Sequence, residues 1–292
     1  MSSNLRQRRF DNPGQLSEPL LHRDFEDDSD TCDNQGGFSL DQGKRRLSLE
    51  AVAEAIVYTW NCLVAGFGQC LVGYRAPPGI LPAQLTLLQE EKLNKLRDSK
   101  GTTFDPSNPE HEAALRRLWR LSFPSRQLED LKSEQWKDMG WQGTDPSTDF
   151  RGAGFLALEN LLYFAETYPS VYSQLLGKVN GRRSEWEYPF CVAGVNLTFA
   201  MIEILDVADG RQPRTRAGTN FFTALSEGTD NAFEEVYCAA FQLLDSKWLE
   251  MRASYMEFPA VMGEVKKELQ AALERAETLG EVERLLLGPR RP

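Results

Sequence analysis

The chain has almost none of the groups from which catalytic centres are usually built. It has two histidines among 292 residues, and G-x-x-x-x-G-K-S/T, G-x-S-x-G and H-E-x-x-H are all missing. The first absence argues against a bound nucleotide, the others against a hydrolytic serine or a zinc-bound water. His22 lies in a polar tail, and the pattern after Asn108-Pro109 places His111 in an exposed first helical turn, so neither points to general base work. Cysteine is scarce and odd in number: Cys32, Cys62, Cys70, Cys191 and Cys238 form no C-x-x-C, and no histidine stands at zinc-ligand spacing. They read as reduced thiols, mostly buried, in a cytosolic protein with no metal and no cofactor. Positive charge is also short, 33 Lys and Arg against 43 Asp and Glu for a net −10. That balance excludes a nucleic acid as the main partner. The N-terminus has no apolar run of the secretory kind, and no alternating segments are joined by Asn-Gly or Asp-Gly turns.

Residues 1–47 are Ser, Asp, Asn, Gln, Gly and Arg with an acidic cluster at Asp24 to Asp33, which predicts a disordered polar tail. From Ser48 the character reverses. Residues 48–74, SLEAVAEAIVYTWNCLVAGFGQCLVGY, carry no charge between Glu54 and Arg75. The length raises membrane contact, whereas Asn61, Gln69 and three glycines favour a helix packed on the domain. Both readings stay open, and with them a peripheral location on organelle membranes. Arg45-Arg46-Leu47-Ser48 resembles a basophilic kinase site, and Ser48 equally suits a helix N-cap.

The remainder predicts helices, so the fold class is all-α: a multi-helix domain behind a disordered tail. Residues 48–107 form an N-terminal helical extension, in which Leu85, Leu88, Leu93 and Leu96 share one side of a helix that stops at Gly101. Asn108-Pro109 opens a helix bearing Leu115, Leu118 and Trp119. Ser133 leads a short helix ending at Gly140, and further helices are expected at 169–177, 189–207, 231–248 and 259–279. Residues 188–199, YPFCVAGVNLTF, suit a buried strand by propensity but have no partner strand. Residues 278–292 read as a helix end and tail. Glu90-Glu91 and Glu234-Glu235 read as solvated helix faces, and Trp60, Trp119, Trp136, Trp186 and Trp248 as core.

One arginine stands apart. Arg151 lies in WKDMGWQGTDPSTDFRGAG, residues 136–154, among turn-formers between two helical patterns. Held on a stiffened loop, its guanidinium can be offered to another molecule; alternatively, it pairs with Asp149 and knits the loop to the core. Asp145 and Asp149 are candidate loop fasteners. Gln142 orients a water or bonds within the loop, Gly152 permits the turn, and Trp141 is the aromatic best placed to support the loop or touch a partner.

The motif Trp136-x-x-x-Gly140-Trp141-Gln142-Gly143-x-Asp145-Pro146-x-Thr148-Asp149-Phe150-Arg151-Gly152-x-Gly154, followed by Leu158, Leu161 and Leu162, resembles the signature of the ELMO domain of engulfment and cell motility proteins. The likeness runs over residues 108–277, through HEAALRRLWRLSFP, LENLLYFAETYP, YPFCVAGVNLTF and AFEEVYCAAFQLLDSKWLEMRASYMEF. It implies a mostly helical domain. It further implies either a GTPase-activating protein for Arf or Arl small GTPases or, as in the family's adaptor branch, a non-catalytic partner of exchange factors. Arg151 falls on the family's proposed catalytic arginine, which the adaptor branch lacks. The chain would then regulate another enzyme, with no nucleotide site of its own. Trp141 departs from the phenylalanine usual in the family. The oligomeric state is left open.

Overall fold

A computed structural model describes residues 84–150, 152–178, 187–207 and 210–289. Arg151, Trp186 and residues 1–83, with Ser48 and the 48–74 segment, lie outside the described residues. Every regular element among the described residues is helical.

Local chemistry sets most helix starts. Helix α1 (Leu87–Gly101) opens on a capping box: Thr86 Oγ1 accepts from Gln89 N–H, and Gln89 Oε1 accepts from Thr86 N–H at 2.9 Å. Helix α2 (Pro109–Ser122) has Asn108 as N-cap, its Oδ1 accepting from Glu110 N–H at 2.9 Å, and proline at its first position. Helices α3 (Leu156–Thr167) and α4 (Pro169–Leu176) follow, broken at Tyr168 because Pro169 cannot continue the ladder. Helix α5 (Phe190–Ile204) covers the stretch whose propensity also suited a strand. It is buried on nearly every side, which explains a sequence apolar all round instead of striped.

A short α6 (Arg216–Asn220) runs into a π-turn (Phe221–Leu225), neither of them evident from periodicity. Helix α7 (Ala232–Glu250) is the longest among the described residues, and α8 (Phe258–Arg275) follows it. The sequence pattern runs α8 on through Leu279, but the chain breaks at Ala276. A separate α9 (Leu279–Leu287) begins there, with Thr278 Oγ1 accepting from Glu281 N–H at 3.2 Å.

Helices α3, α5 and α7 meet at Gly194. A β-carbon there would lie 2.6 Å from Tyr237 Oη and 2.9 Å from Leu161 Cδ2, so the close approach requires the missing side chain. Aromatic rings fill the surrounding core. Phe164, Tyr172, Phe190 and Phe241 contact one another at centroid separations of 4.8–5.6 Å, and Trp119, Trp136 and Trp248 are sealed from solvent. The buried carboxylate of Asp245 accepts from Tyr188 Oη–H at 2.7 Å. Leu93 of α1 sits in this same core, at 1% exposure.

Candidate functional site: the loop around position 151

The loop begins where the 3₁₀ turn Glu134–Met139 stops. Gly140 takes φ +80°, and a β-carbon on it would lie 2.4 Å from the backbone nitrogen of Phe190. Glycine is required twice over, by conformation and by the approach of α5. Trp136 is fully buried and donates Nε1–H to Leu131 O at 3.0 Å. Trp141 is 3% exposed and meets Phe150 edge to face at 5.2 Å. Its ring is therefore packed inside the loop, and its Nε1–H has no acceptor among the described residues.

Asp145 caps the next turn, Pro146–Thr148. Its Oδ1 accepts from Ser147 N–H at 3.1 Å and Ser147 Oγ–H at 2.6 Å, and Oδ2 lies 3.0 Å from Lys132 Nζ. Burial pushes this carboxyl up, but the Ser147 hydroxyl, the Lys132 ammonium and the Ser147 amide outweigh it and hold Asp145 below the usual carboxylate value. Asp149 is 3% exposed, and its Oδ2 accepts the Gln142 backbone N–H at 3.1 Å, clamping the two limbs together. Burial first, and then the charge of Asp149, raises the nearby Cys191 thiol well above the ordinary value. The side-chain Nε2 of Gln142 is buried without an acceptor, so its observed role is through its backbone.

Position 151 is bracketed by a closed turn, in which Gly154 N–H donates to Phe150 O at 2.9 Å and Ala153 N–H to the same oxygen at 3.3 Å. Gly152 is exposed at φ +93°. Gly154 is buried at φ +60°, tight against the end of α1, and Phe155 N–H donates to Thr102 O at 2.8 Å. Beneath the turn runs a column of rings: Phe150 stacks on Phe104 at 5.3 Å, Phe104 meets His111 at 5.6 Å, and His111 stacks on Phe155 at 4.3 Å.

Two expectations are corrected. His111 is 9% exposed, not open to solvent, and its Nδ1 accepts from Asp105 N–H at 3.0 Å because the segment 102–108 folds back over the first turn of α2. Glu234 and Glu235 do not form a solvated face. Glu235 accepts hydrogen bonds from both Tyr163 Oη and Tyr168 Oη, and the carboxyl of Glu234 is raised mainly by burial. Both acids sit in the first turn of α7, where α3 and α1 approach it, a proximity invisible to helical spacing.

The structure thus brings Trp141, Gln142, Asp145, Asp149 and Gly152 together around position 151. It adds the Lys100 and Thr102 carbonyls and Phe104, which no motif marked, and sets His111 inward beside them. The pattern that defines the ELMO/CED-12 family matches residues 94–262, more than half of the chain. The chain belongs to the ELMO/CED-12 family. Curated relatives agree: ELMO domain-containing protein A of Dictyostelium discoideum is 37% identical over 214 residues, 68% of this chain and 22% of that protein. ELMO domain-containing protein B of the same organism is 30% identical over 216 residues, 72% of this chain and 70% of that protein. ELMO domain-containing protein 2 of Mus musculus is 36% identical over 147 residues, half of this chain and 47% of that protein. The chain thus spans less than half the length of several relatives that it matches, while the family match takes in the second half of α1 and the whole arginine loop.

Among the described residues no group of side chains is suited to hold a metal ion, and no helix is long and apolar enough to cross a membrane.

Proposed function

We propose that this ELMO-family chain activates a small GTPase of the Arf or Arl class by supplying Arg151 in trans to the transition state of GTP hydrolysis. The observation that carries the reading is the build of the turn at position 151. It is fastened on one limb by Asp149 to Gln142 and on the other by Phe155 to Thr102, while Gly152 beside it is exposed. A cation delivered from such a frame loses little freedom on meeting its target, which is what positioning contributes to catalysis.

The chemistry suits arginine. Phosphoryl transfer spreads negative charge over the phosphate oxygens, and a planar, permanently charged guanidinium meets two of them at once. An arginine supplied in trans accelerates hydrolysis by about 10³- to 10⁵-fold, about 4 to 7 kcal/mol of barrier. No step needs a group that this chain lacks, since nucleotide and magnesium belong to the GTPase.

One observation favours a non-catalytic adaptor instead. Asp149, two residues from Arg151, is a buried carboxylate, and a buried carboxylate gains most from a nearby cation. Single-turnover GTP hydrolysis by a panel of purified Arf and Arl proteins, with wild type and Arg151→Ala, decides between the two. Loss of stimulation with an unchanged melting temperature supports activation. Full stimulation by a folded mutant rejects it, and a large fall in melting temperature assigns the arginine to the loop's own structure.

A further inference from the structure

Helix α1 carries an apolar face that the rest of the described domain leaves uncovered. Leu93 is 1% exposed and faces the core, whereas Leu88, about 140° away round the helix at 3.6 residues per turn, is 63% exposed, with Leu87 beside it at 88%. Leu88 forms one lip of a groove of about 280 Å³ between α1, the π-turn and the start of α7, whose other walls include Leu96, Phe221, Phe222 and Phe233.

The ammonium of Lys92 in the groove is already engaged. Lys92 Nζ donates to Thr229 O at 2.8 Å and to Ser226 O, and lies 3.9 Å from Asp230. Lys95 shares the groove with Glu91 and Glu234. Lysines and acids thus line the groove together and leave no strong field of one sign, so the groove suits an uncharged, apolar occupant. One polar atom is left over: Glu234 Oε2 is buried without a partner, and burial favours the protonated acid, which can donate to a backbone or amide carbonyl.

This chain contains such an occupant a short distance away. Residues 55–74 carry no charge, and Tyr74 is followed by twelve residues, 75–86, before α1 begins. At about 3.3 Å per extended residue that link reaches about 40 Å, whereas α1 itself is about 22 Å long at 1.5 Å per residue. The tether is long enough for any part of the groove. An apolar run of this length and an exposed apolar lip both gain by leaving water together.

We propose that the uncharged segment within residues 48–74 seats in the groove formed by α1, the π-turn and α7, packing on Leu87 and Leu88. The inference is independent of any role for Arg151. While seated, the segment is withheld from a bilayer, so groove and membrane compete for the same residues.

The test uses the full chain, in which Cys62 and Cys70 are natural reporters. Leu88→Cys, treated with a short bis-maleimide and read by peptide mass spectrometry, should join residue 88 to Cys62 or Cys70, with a yield unchanged on dilution. No such link, a link only to Cys32, or a yield that falls on dilution, as for a second copy, overturns the proposal. So does an equal yield from Met256→Cys, an exposed position in the turn before α8. As a second variant, Leu88→Asp should raise amide hydrogen exchange across 48–74 several-fold at unchanged melting temperature. Unaltered exchange, or protection of 48–74 that arises only when phosphatidylcholine vesicles are added, overturns it equally.

Discussion

The carbonyl oxygen of Lys100 lies 2.0 Å from where a β-carbon on Gly154 would be, so the last turn of α1 and the exit of the arginine loop share space that only glycine leaves free. Gly154 also sits at φ +60°, and the next residue, Phe155, is tied to Thr102 O at 2.8 Å. The loop's geometry therefore depends on the end of a helix some fifty residues earlier in the chain.

Gly154→Ala should be among the more damaging single-methyl changes in the domain. Left-handed backbone on a side chain costs about 1 to 3 kcal/mol, and the forced separation from Lys100 adds about as much. At about 2 to 4 °C per kcal/mol for a domain of this size, thermal circular dichroism should show a fall of about 10 °C. Gly152→Ala meets only Phe199 at 3.4 Å and should lose less. Equal losses would show that the approach to Lys100 is not what constrains the loop.

Replacing Arg151 by Lys discriminates geometry from charge. Lysine keeps the cation but loses the planar fork, so Arg151→Lys should recover only a small part of the stimulation lost in Arg151→Ala. Recovery to wild-type rates in single-turnover hydrolysis is incompatible with two-point contact to phosphate. Trp141→Phe should leave both stimulation and binding intact, because Trp141 is an inward-facing support at 3% exposure.

Acid should loosen the loop through Asp145. Its folded-state carboxyl titrates below the ordinary value of 3.8, so its contribution is fully present above that value and is lost as pH falls below it, through the folded one. Asp145→Asn should melt below wild type near neutrality, and the difference should shrink as pH is lowered through the range beneath 3.8. A gap of constant size from neutral to acid would remove the charge from the account and leave only the cap geometry.

At the other end of the scale, Tyr163 and Tyr168 share the Glu235 carboxylate, and burial first, then that carboxylate, raises both phenols well above 10.0. Their folded-state preference for the proton makes this contribution intact below about 10 and progressively lost as pH rises above it. Glu235→Gln should bring both phenols down, read as tyrosinate absorbance at lower pH. Tyr163→Phe and Tyr168→Phe should each cost about 1 to 3 kcal/mol, and the pair should be non-additive because they share one acceptor. Strict additivity would mean that the two hydroxyls do not share that carboxylate.

How far these features are legible before the chain folds differs residue by residue. Asn108 and Gly140 announce their caps because a cap is satisfied within about four residues, and Asp145 with Ser147 is a turn of the same short range. The motif around Arg151 likewise marks its family, since its residues are contiguous. The π-turn at Phe221–Leu225 and the break at Ala276 are not legible, because they come from how α6 and α8 are packed.

What local bonding rules dictate, the amino-acid order determined by itself: a helical chain, the positions of most caps, a turn-rich loop holding one arginine, and an uncharged run before α1. Only the tertiary structure decided which side chains that loop keeps for itself. Trp141 and His111 went inward, Glu235 acquired two phenols, Leu88 was left facing water, and Gly154 met a carbonyl from another helix. The physical reason is range. Hydrogen bonds within a turn are written in neighbouring residues, whereas burial and close approach depend on atoms that only the assembled fold brings near.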